Sequence, residues 1–236
     1  MQLWFRAIWY IVGQKNGVSA KGLQRVLGFT RYETIWIWLH KLRIAMVRPG
    51  RERLSGTVEV DETYIGGERP GKRGRGAAGK SLVLIAVEDK GKQIGRIRLR
   101  RILDASATNL IMAVKESVEP GSLVRTDGWG GYGQISKEGF GHAIVRKSAD
   151  VEENLLPLVN RGASLLKRWL LGTHQGAVRP SHLDYYLDEF TFRFNRRKSY
   201  SRGKLFFRCF NRQYVFPLCL EVKSAVATET QDIVWT

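Results

Sequence analysis

Apolar positions recur at helical spacing at the start of the chain and at strand spacing in its middle. Three helices are predicted first, at residues 1–12, 18–28 and 30–43. Ser19 has the position of an N-cap and Gly28 that of a helix stop in the second helix. A small helical domain is therefore predicted over residues 1–50.

The third helix opens on a capping box, Thr30 and Glu33. Its apolar face consists of Ile35, Trp38, Leu39 and Leu42. Its predicted outward face consists of Arg31, His40, Lys41 and Arg43. Helix, tight turn and basic helix is the pattern of a helix-turn-helix DNA-binding unit, although ordinary helical packing produces it too.

Beyond residue 50 the pattern changes to strands. The predicted elements are strands at 57–67, 82–88 and 93–99, a helix at 106–118, a strand at 123–127, a further strand at 142–146, and helices from 154 and over 182–197. Three strands, a helix and a further strand open a ribonuclease H-like fold, an α/β class in which helices flank a mixed sheet. We assign it to residues 51–215 and leave 216–236 as a divergent tail.

Charge changes this picture more than composition does. The 236 residues include 39 Lys or Arg and 22 Asp or Glu, which gives a net charge of +17 and favours nucleic acid as the partner. The basic, glycine-rich segment 68–80 suits contact with a phosphate backbone, and on its own pattern a solvated loop equally well. Because the sequence has neither a long apolar run nor a cleavable signal pattern, a cytoplasmic protein without a membrane partner is expected.

Acidic residues stand in the predicted strands. Glu59 and Asp61 share a face of the first strand, where a divalent cation or solvent would compensate their charge. Asp127 ends the fourth, a position that also suits a turn-capping aspartate. In a ribonuclease H-like fold these two strands carry the first two catalytic carboxylates. The rival acids are Glu59, Glu62, Glu153 and Glu189, of which Glu189 could instead pair with Arg193 one helical turn away.

Four motifs resemble a bacterial insertion-sequence transposase of the DDE type. They are VEVDETYIGG at 58–67, TDGWGGY at 126–132, Val159-Asn160 with Lys167, and YLDEFTFRFNRR at 186–197. The branch carries an N-terminal zinc ribbon before its helix-turn-helix, and no CxxC pair precedes Trp4 here. The resemblance implies a catalytic set of Asp61, Asp127, Asn160 and Lys167.

That resemblance implies DNA cleavage at element ends and strand transfer with two Mg²⁺ or Mn²⁺ ions. Asp61, Asp127 and Asn160 would hold the ions, and Lys167 a phosphate. The implied partners are double-stranded DNA, at element ends and target, and further copies of the chain in a homodimer or higher multimer. Expected DNA contacts come from Arg31, Lys41, Arg43, Lys72, Arg73, Arg75, Lys80, Lys167, Arg168, Arg193, Arg196 and Arg197. The alternatives are a nuclease or resolvase on the same fold, and a truncated DNA-binding repressor.

Overall fold

The computed structural model describes residues 2–46, 51–66, 80–91, 93–145, 155–176 and 178–210. Two compact units divide these residues: one lies within 1–49 and 197–236, the other within 50–196. The helices are α1 (Gln2–Gly13), α2 (Ala20–Leu27), α3 (Tyr32–Met46), α4 (Ala107–Ser117), α5 (Pro157–His174), α6 (Pro180–Asn195) and α7 (Arg202–Phe210). The strands are β1 (Thr57–Ile65), β2 (Ser81–Asp89), β3 (Ile94–Ile102), β4 (Leu123–Thr126) and β5 (Gly141–Ile144).

A five-stranded mixed sheet in the order β3-β2-β1-β4-β5 forms the larger unit. β1, β2 and β3 make an antiparallel meander, whereas β4 lies parallel to β1, and β5 parallel to β4. The helix α4 lies between β3 and β4 in the chain and provides the crossover that a change to parallel pairing requires. The predicted ribonuclease H-like sheet flanked by helices is confirmed.

The sheet is covered by helices on both faces. Val58, Val60 and Val124 face one core, which α4 closes with Leu110 and Val114. The opposite core is built from Val83, Ile85, Val87, Ile97 and Leu99 of β2 and β3, under the apolar stripes of α5 and α6. Successive residues of a strand point to opposite faces, so residues 59 and 61 of β1 face the α5 side.

Two contacts fix α5 and α6 on that second face. Gly162 lets α5 approach closely, because a Cβ there would lie 3.2 Å from Cδ1 of Ile97. The Asn195 side chain accepts a hydrogen bond from the Ile97 N–H at 2.7 Å and donates one to its carbonyl oxygen at 3.0 Å. The end of α6 is therefore attached to the backbone of β3, the strand at one edge of the sheet.

The smaller unit is helical. Ser19 caps α2 by accepting the Gly22 N–H at 3.1 Å, and Gly28 ends that helix with a φ of 74°. Both caps confirm the sequence prediction. Trp4 of α1 stacks on Trp38 of α3 with ring centroids 4.1 Å apart.

Three features of this unit differ from expectation. α3 begins at Tyr32, so the residue before it is Arg31 rather than the predicted cap Thr30. His40 and Arg43 are buried, which makes the prediction that they face outward wrong, because α3 packs against α2 and α7 and keeps only a narrow exposed face. α7 was not predicted.

Phe206 and Phe210 of α7 pack on Phe5 of α1, with ring centroids 6.0 and 5.0 Å away. Aromatic rings on both helices thus share one core, and α7 belongs to the helical unit. This differs from the expected assignment of residues up to 215 to the catalytic domain. Within the described ranges, none of the helices is both long and apolar enough to cross a membrane.

Candidate active site

Strand register places the two candidate aspartates beside each other. β1 and β4 pair in parallel with Glu59 opposite Arg125. Two residues further along, Asp61 lies within β1 and Asp127 lies directly after the end of β4. Adjacent strands are about 4.8 Å apart. Nη1 of Arg125 and Oε1 of Glu59 approach to 3.9 Å on the α5 side, and strand alternation directs Asp61 to the same side.

Asp127 stands at the start of a tightly built turn. Its Oδ1 accepts the Trp129 N–H at 2.9 Å, so the aspartate both caps the turn and presents an exposed carboxylate. Gly128 has a φ of 81°, and a Cβ there would lie 2.5 Å from Cγ2 of Ile144. The glycine that follows Asp127 is therefore a backbone requirement of the turn.

The residue before Asp127 is held as firmly. Thr126 is fully buried, and its Oγ1 lies 2.9 Å from His142 Nε2 and accepts the Gly128 N–H at 3.3 Å. Burial lowers the pKa of His142, so its neutral form is favoured. A neutral ring can accept a hydrogen bond from the Thr126 hydroxyl. Strands β4 and β5 are thus joined by a side-chain contact directly behind Asp127.

Tyr132 lies at the centre of the carboxylate group. Its side chain is fully buried, and its O–H donates to Glu62 Oε2 at 2.8 Å. Burial raises the pKa of Tyr132 well above its usual value, and the charges of Glu62, Asp61 and Asp127 raise it further. All three carboxylates therefore lie near one phenol.

Glu59 connects β1 to the start of α5. It is 1% exposed, and its Oε2 accepts the N–H groups of Leu158 and Val159 at 2.8 and 3.0 Å. These N–H groups belong to the first helical turn, where no partner within the helix exists and the dipole favours a negative charge. Burial raises the pKa of Glu59, while the two hydrogen bonds and Arg125 act in the opposite direction.

Asn160 follows Val159 directly, so the start of α5 brings it to the face of β1 that carries Asp61. Its side chain is exposed, as are those of Lys167 and Arg168. Seven residues along a helix advance about 10 Å and return to the same side, so Asn160 and Lys167 share one line of α5.

The rival acids have other structural surroundings. Glu189 is buried in α6, which packs on β3, and its Oε1 lies 2.7 Å from Arg193 Nη2. The anticipated pairing of these two residues is confirmed. Glu59 is occupied at α5 and Glu62 at Tyr132, whereas Glu153 lies outside the described residues.

The expected DNA contacts are distributed unevenly. Arg43 and Arg193 are withdrawn from solvent, and Arg196 lies 4.2 Å above the Phe192 ring. Arg43 is buried in the helical unit and the half-buried Arg193 is paired with Glu189, so little of either side chain is exposed. The exposed members are Arg31, Lys167, Arg168 and Arg197, with Lys41 and Lys80 half-buried, while Lys72, Arg73 and Arg75 lie outside the described residues.

The donor set suits a hard divalent cation. Two carboxylates on neighbouring strands and an amide oxygen from α5 are the oxygen ligands that Mg²⁺ and Mn²⁺ prefer. Across the part of the chain that the structure describes, no three His, Cys, Asp or Glu side chains form a metal-binding group. Among the described residues, the candidate oxygen donors of a site here are Asp61, Asp127 and the amide of Asn160.

Sequence reasoning missed the residues that support these aspartates. The sequence patterns predict no role for Tyr132, Thr126 or His142, and they predict Glu59 as a charge compensated by a cation or solvent rather than as a helix anchor. The one available signal was the combination of polar side chains with strands predicted to be buried, since a buried polar group requires a partner.

A sheet in the order β3-β2-β1-β4-β5, with one aspartate inside β1 and a second directly after β4, is the arrangement of a ribonuclease H-like fold. The sequence model of the ISXO2-like transposase domain matches residues 53–195, more than half of the chain. The protein therefore belongs to that transposase family.

Among solved structures, the chain is similar to the catalytic core domain of BIV integrase. The sequence identity is 15% and the TM-score 0.38, and the match covers 58% of this chain and 82% of that one. Comparison with curated protein sequences gave no significant match.

Proposed function

We propose that this transposase cuts DNA at the ends of its insertion sequence and joins the released 3′-hydroxyl groups to target DNA. The observation that carries the proposal is the parallel pairing of β1 and β4, whose last matched pair, Glu59 and Arg125, lies two residues before Asp61 and Asp127. Membership of the transposase family supports the same reaction.

The two aspartates are poised to attract cations. At a separation of about 5 Å, two carboxylates repel by about 3 kcal/mol at an effective dielectric constant of 20. Bound Mg²⁺ or Mn²⁺ ions would stabilise the negative charge that develops on the attacking and leaving oxygens. Asp61, Asp127 and Asn160 would hold the ions through their side-chain oxygens.

Residues of α5 complete the site. Asn160 offers a neutral amide oxygen, which binds a cation more weakly than a carboxylate would. Lys167, two turns further along the same exposed side of α5, donates to a phosphate of the cleaved strand. Because Glu59 holds the start of this helix against β1, Asn160 and Lys167 keep a fixed position relative to the aspartates.

DNA is also bound by the helical unit. α2 and α3 are joined by four residues, with Gly28 in the left-handed conformation, which is the geometry of a helix-turn-helix. Its exposed basic residues are Lys21, Arg25 and Arg31, at α2 and the turn. Since an element has two ends and each chain one catalytic site, we propose that a homodimer or higher multimer acts on DNA.

The test uses the full chain, a duplex containing an element end, and Mg²⁺. Asp61→Asn and Asp127→Asn should each reduce strand cleavage by more than about 100-fold, the upper range for changes around metal ligands, while DNA binding is retained. Glu119→Gln, which changes an exposed acid of the same unit, is the matched control.

Wild-type cleavage rates in either aspartate variant would contradict the proposed site. Cleavage without joining by the wild-type chain would indicate a nuclease or resolvase. Binding with neither reaction would indicate a repressor.

A further inference from the structure

We propose that Tyr132 and Glu62 form a positioning pair that holds Asp127 beside Asp61 and so sets the metal affinity of the site. This inference rests on the proposed function, because it assigns a role at the same centre. The pair lies on the opposite side of β1 from Asp61, within the core that α4 covers.

A short series of hydrogen bonds leads from one catalytic strand to the other. Asp127 Oδ1 accepts the Trp129 N–H at 2.9 Å, and the Trp129 carbonyl oxygen accepts the Tyr132 N–H at 3.0 Å. The Tyr132 O–H then donates to Glu62 at 2.8 Å. Asp61 Oδ1 accepts the N–H of Glu62, its neighbour in β1, at 2.8 Å, so the series connects the two aspartates.

The side-chain contact is the only long-range member of this series. Its partners are 70 residues apart in sequence, whereas the other bonds are local. β4 ends at Thr126, and Asp127 therefore lies beyond the last ladder hydrogen bond of its strand. The turn after β4 therefore depends on its own contacts for position, among them the Tyr132 hydroxyl to Glu62 and the Trp129 Nε1–H to the Ala105 carbonyl oxygen at 3.2 Å.

The environment of the pair favours a fixed contact. Tyr132 is fully enclosed among Leu110, Ile135 and other residues of its core, so the phenol cannot reorient toward water. Its pKa is raised, which keeps the hydroxyl protonated as a donor at any pH at which the protein would work. Adjacent strand residues point to opposite faces, so Glu62 is directed to Tyr132 rather than to the side that Asp61 faces.

Metal ligands must be held within about 0.5 Å, and removing a group that orients a ligand typically weakens metal affinity by about 10- to 100-fold. Mn²⁺ binding to the full chain, followed by water-proton relaxation, measures this without relying on activity. Tyr132→Phe removes only the hydroxyl and should weaken Mn²⁺ binding by at least about 10-fold. Glu62→Ala should weaken Mn²⁺ binding by a similar factor. The double variant should bind Mn²⁺ as well as the single variant with the larger loss, because both changes remove the same contact.

Glu62→Gln distinguishes positioning from direct coordination. An amide oxygen still accepts the Tyr132 proton, so this variant should bind Mn²⁺ within about threefold of wild type. Tyr186→Phe is the matched control, since it removes the hydroxyl of another buried tyrosine, in α6 on the opposite core. Strand cleavage by Tyr132→Phe should recover at high Mg²⁺, which a general loss of folding would not permit.

Mn²⁺ binding unchanged in both Tyr132→Phe and Glu62→Ala would overturn the positioning role. A loss in Glu62→Gln as large as in Glu62→Ala, with Tyr132→Phe unaffected, would overturn it in favour of Glu62 as a ligand. Asp61→Asn and Asp127→Asn serve as references in the same titration. If they bind Mn²⁺ like wild type, the proposed metal site and the positioning role both fail; if they lose it and Tyr132→Phe does not, only the positioning role fails.

Discussion

Replacing Glu59 by alanine should destabilise the sheet-bearing unit and displace the start of α5. The variant leaves the N–H groups of Leu158 and Val159 without their acceptor in the interior. Each unpaired buried N–H costs about 1–2 kcal/mol, and loss of the side-chain volume adds to this. Removing a buried charge offsets part of the cost, so we expect a net loss of about 2–3 kcal/mol.

Glu59→Gln separates the acceptor from the charge. The pKa of Glu59 is raised in the folded protein, so its contribution to stability is fully present below the unfolded pKa and is lost as pH rises through the folded pKa. At neutral pH the ionised group is therefore less favourable than a neutral acceptor in the same place. Glutamine should retain the helix contacts and be at least as stable as wild type at pH 7.

Thermal unfolding of the full chain at pH 7 provides the assay, with Glu119→Ala as the exposed-acid control. For a unit of this size, 2–3 kcal/mol corresponds to a fall in melting temperature of about 5–10 °C. Strand cleavage, measured well below the melting temperature, should fall further in Glu59→Ala than in Glu59→Gln. The reason is that Asn160 directly follows Val159, whose N–H is held by Glu59, so a displaced helix start would displace Asn160. A loss of less than about 0.5 kcal/mol in Glu59→Ala, or equal losses in both variants, would refute the anchoring role.

Three further predictions concern DNA binding, an ion pair and a glycine. Affinity for DNA should fall steeply with salt and differ little between an element-end duplex and a scrambled one, because phosphate contacts dominate; a shallow salt slope or a strong preference for the end would contradict this. For Glu88, burial acts to raise the pKa, but the hydrogen bonds from Arg96 and from two backbone N–H groups outweigh it and lower the pKa. The stabilising contribution of Glu88 is present above its unfolded pKa and is lost as pH falls through its folded pKa. Glu88→Gln should therefore reduce the free energy of unfolding by about 1–3 kcal/mol at pH 7, and by less below about pH 4. A cost that does not change with pH in urea titrations would be inconsistent with the ion pair. Gly128→Ala should reduce both stability and cleavage, since its Cβ would meet Ile144, whereas Gly130→Ala, with nothing within 4 Å of its Cβ, should have little effect; equal melting temperatures for the two would contradict the steric argument.

Local sequence determined most of the elements. The periodicity of apolar residues is a property of neighbours in the chain, and it located every strand and the helices α1 to α6 to within a few residues. Ser19, Gly28 and Pro157 mark helix ends through backbone geometry that each residue type imposes by itself. The order of elements then indicated the sheet, because few topologies accommodate a meander followed by a helix and a further strand.

Tertiary structure decided what each polar residue does. Glu59 resembles a catalytic acid in sequence, yet its partners in α5 lie 99 and 100 residues away and make it a helix anchor. Arg43 and Arg193 resemble DNA contacts, but packing of α3 buries the first and Glu189 pairs with the second. Charge and spacing along the chain describe which groups are available, whereas burial and long-range contacts determine which of them reach a substrate, because only folding brings distant partners together and removes water from between them.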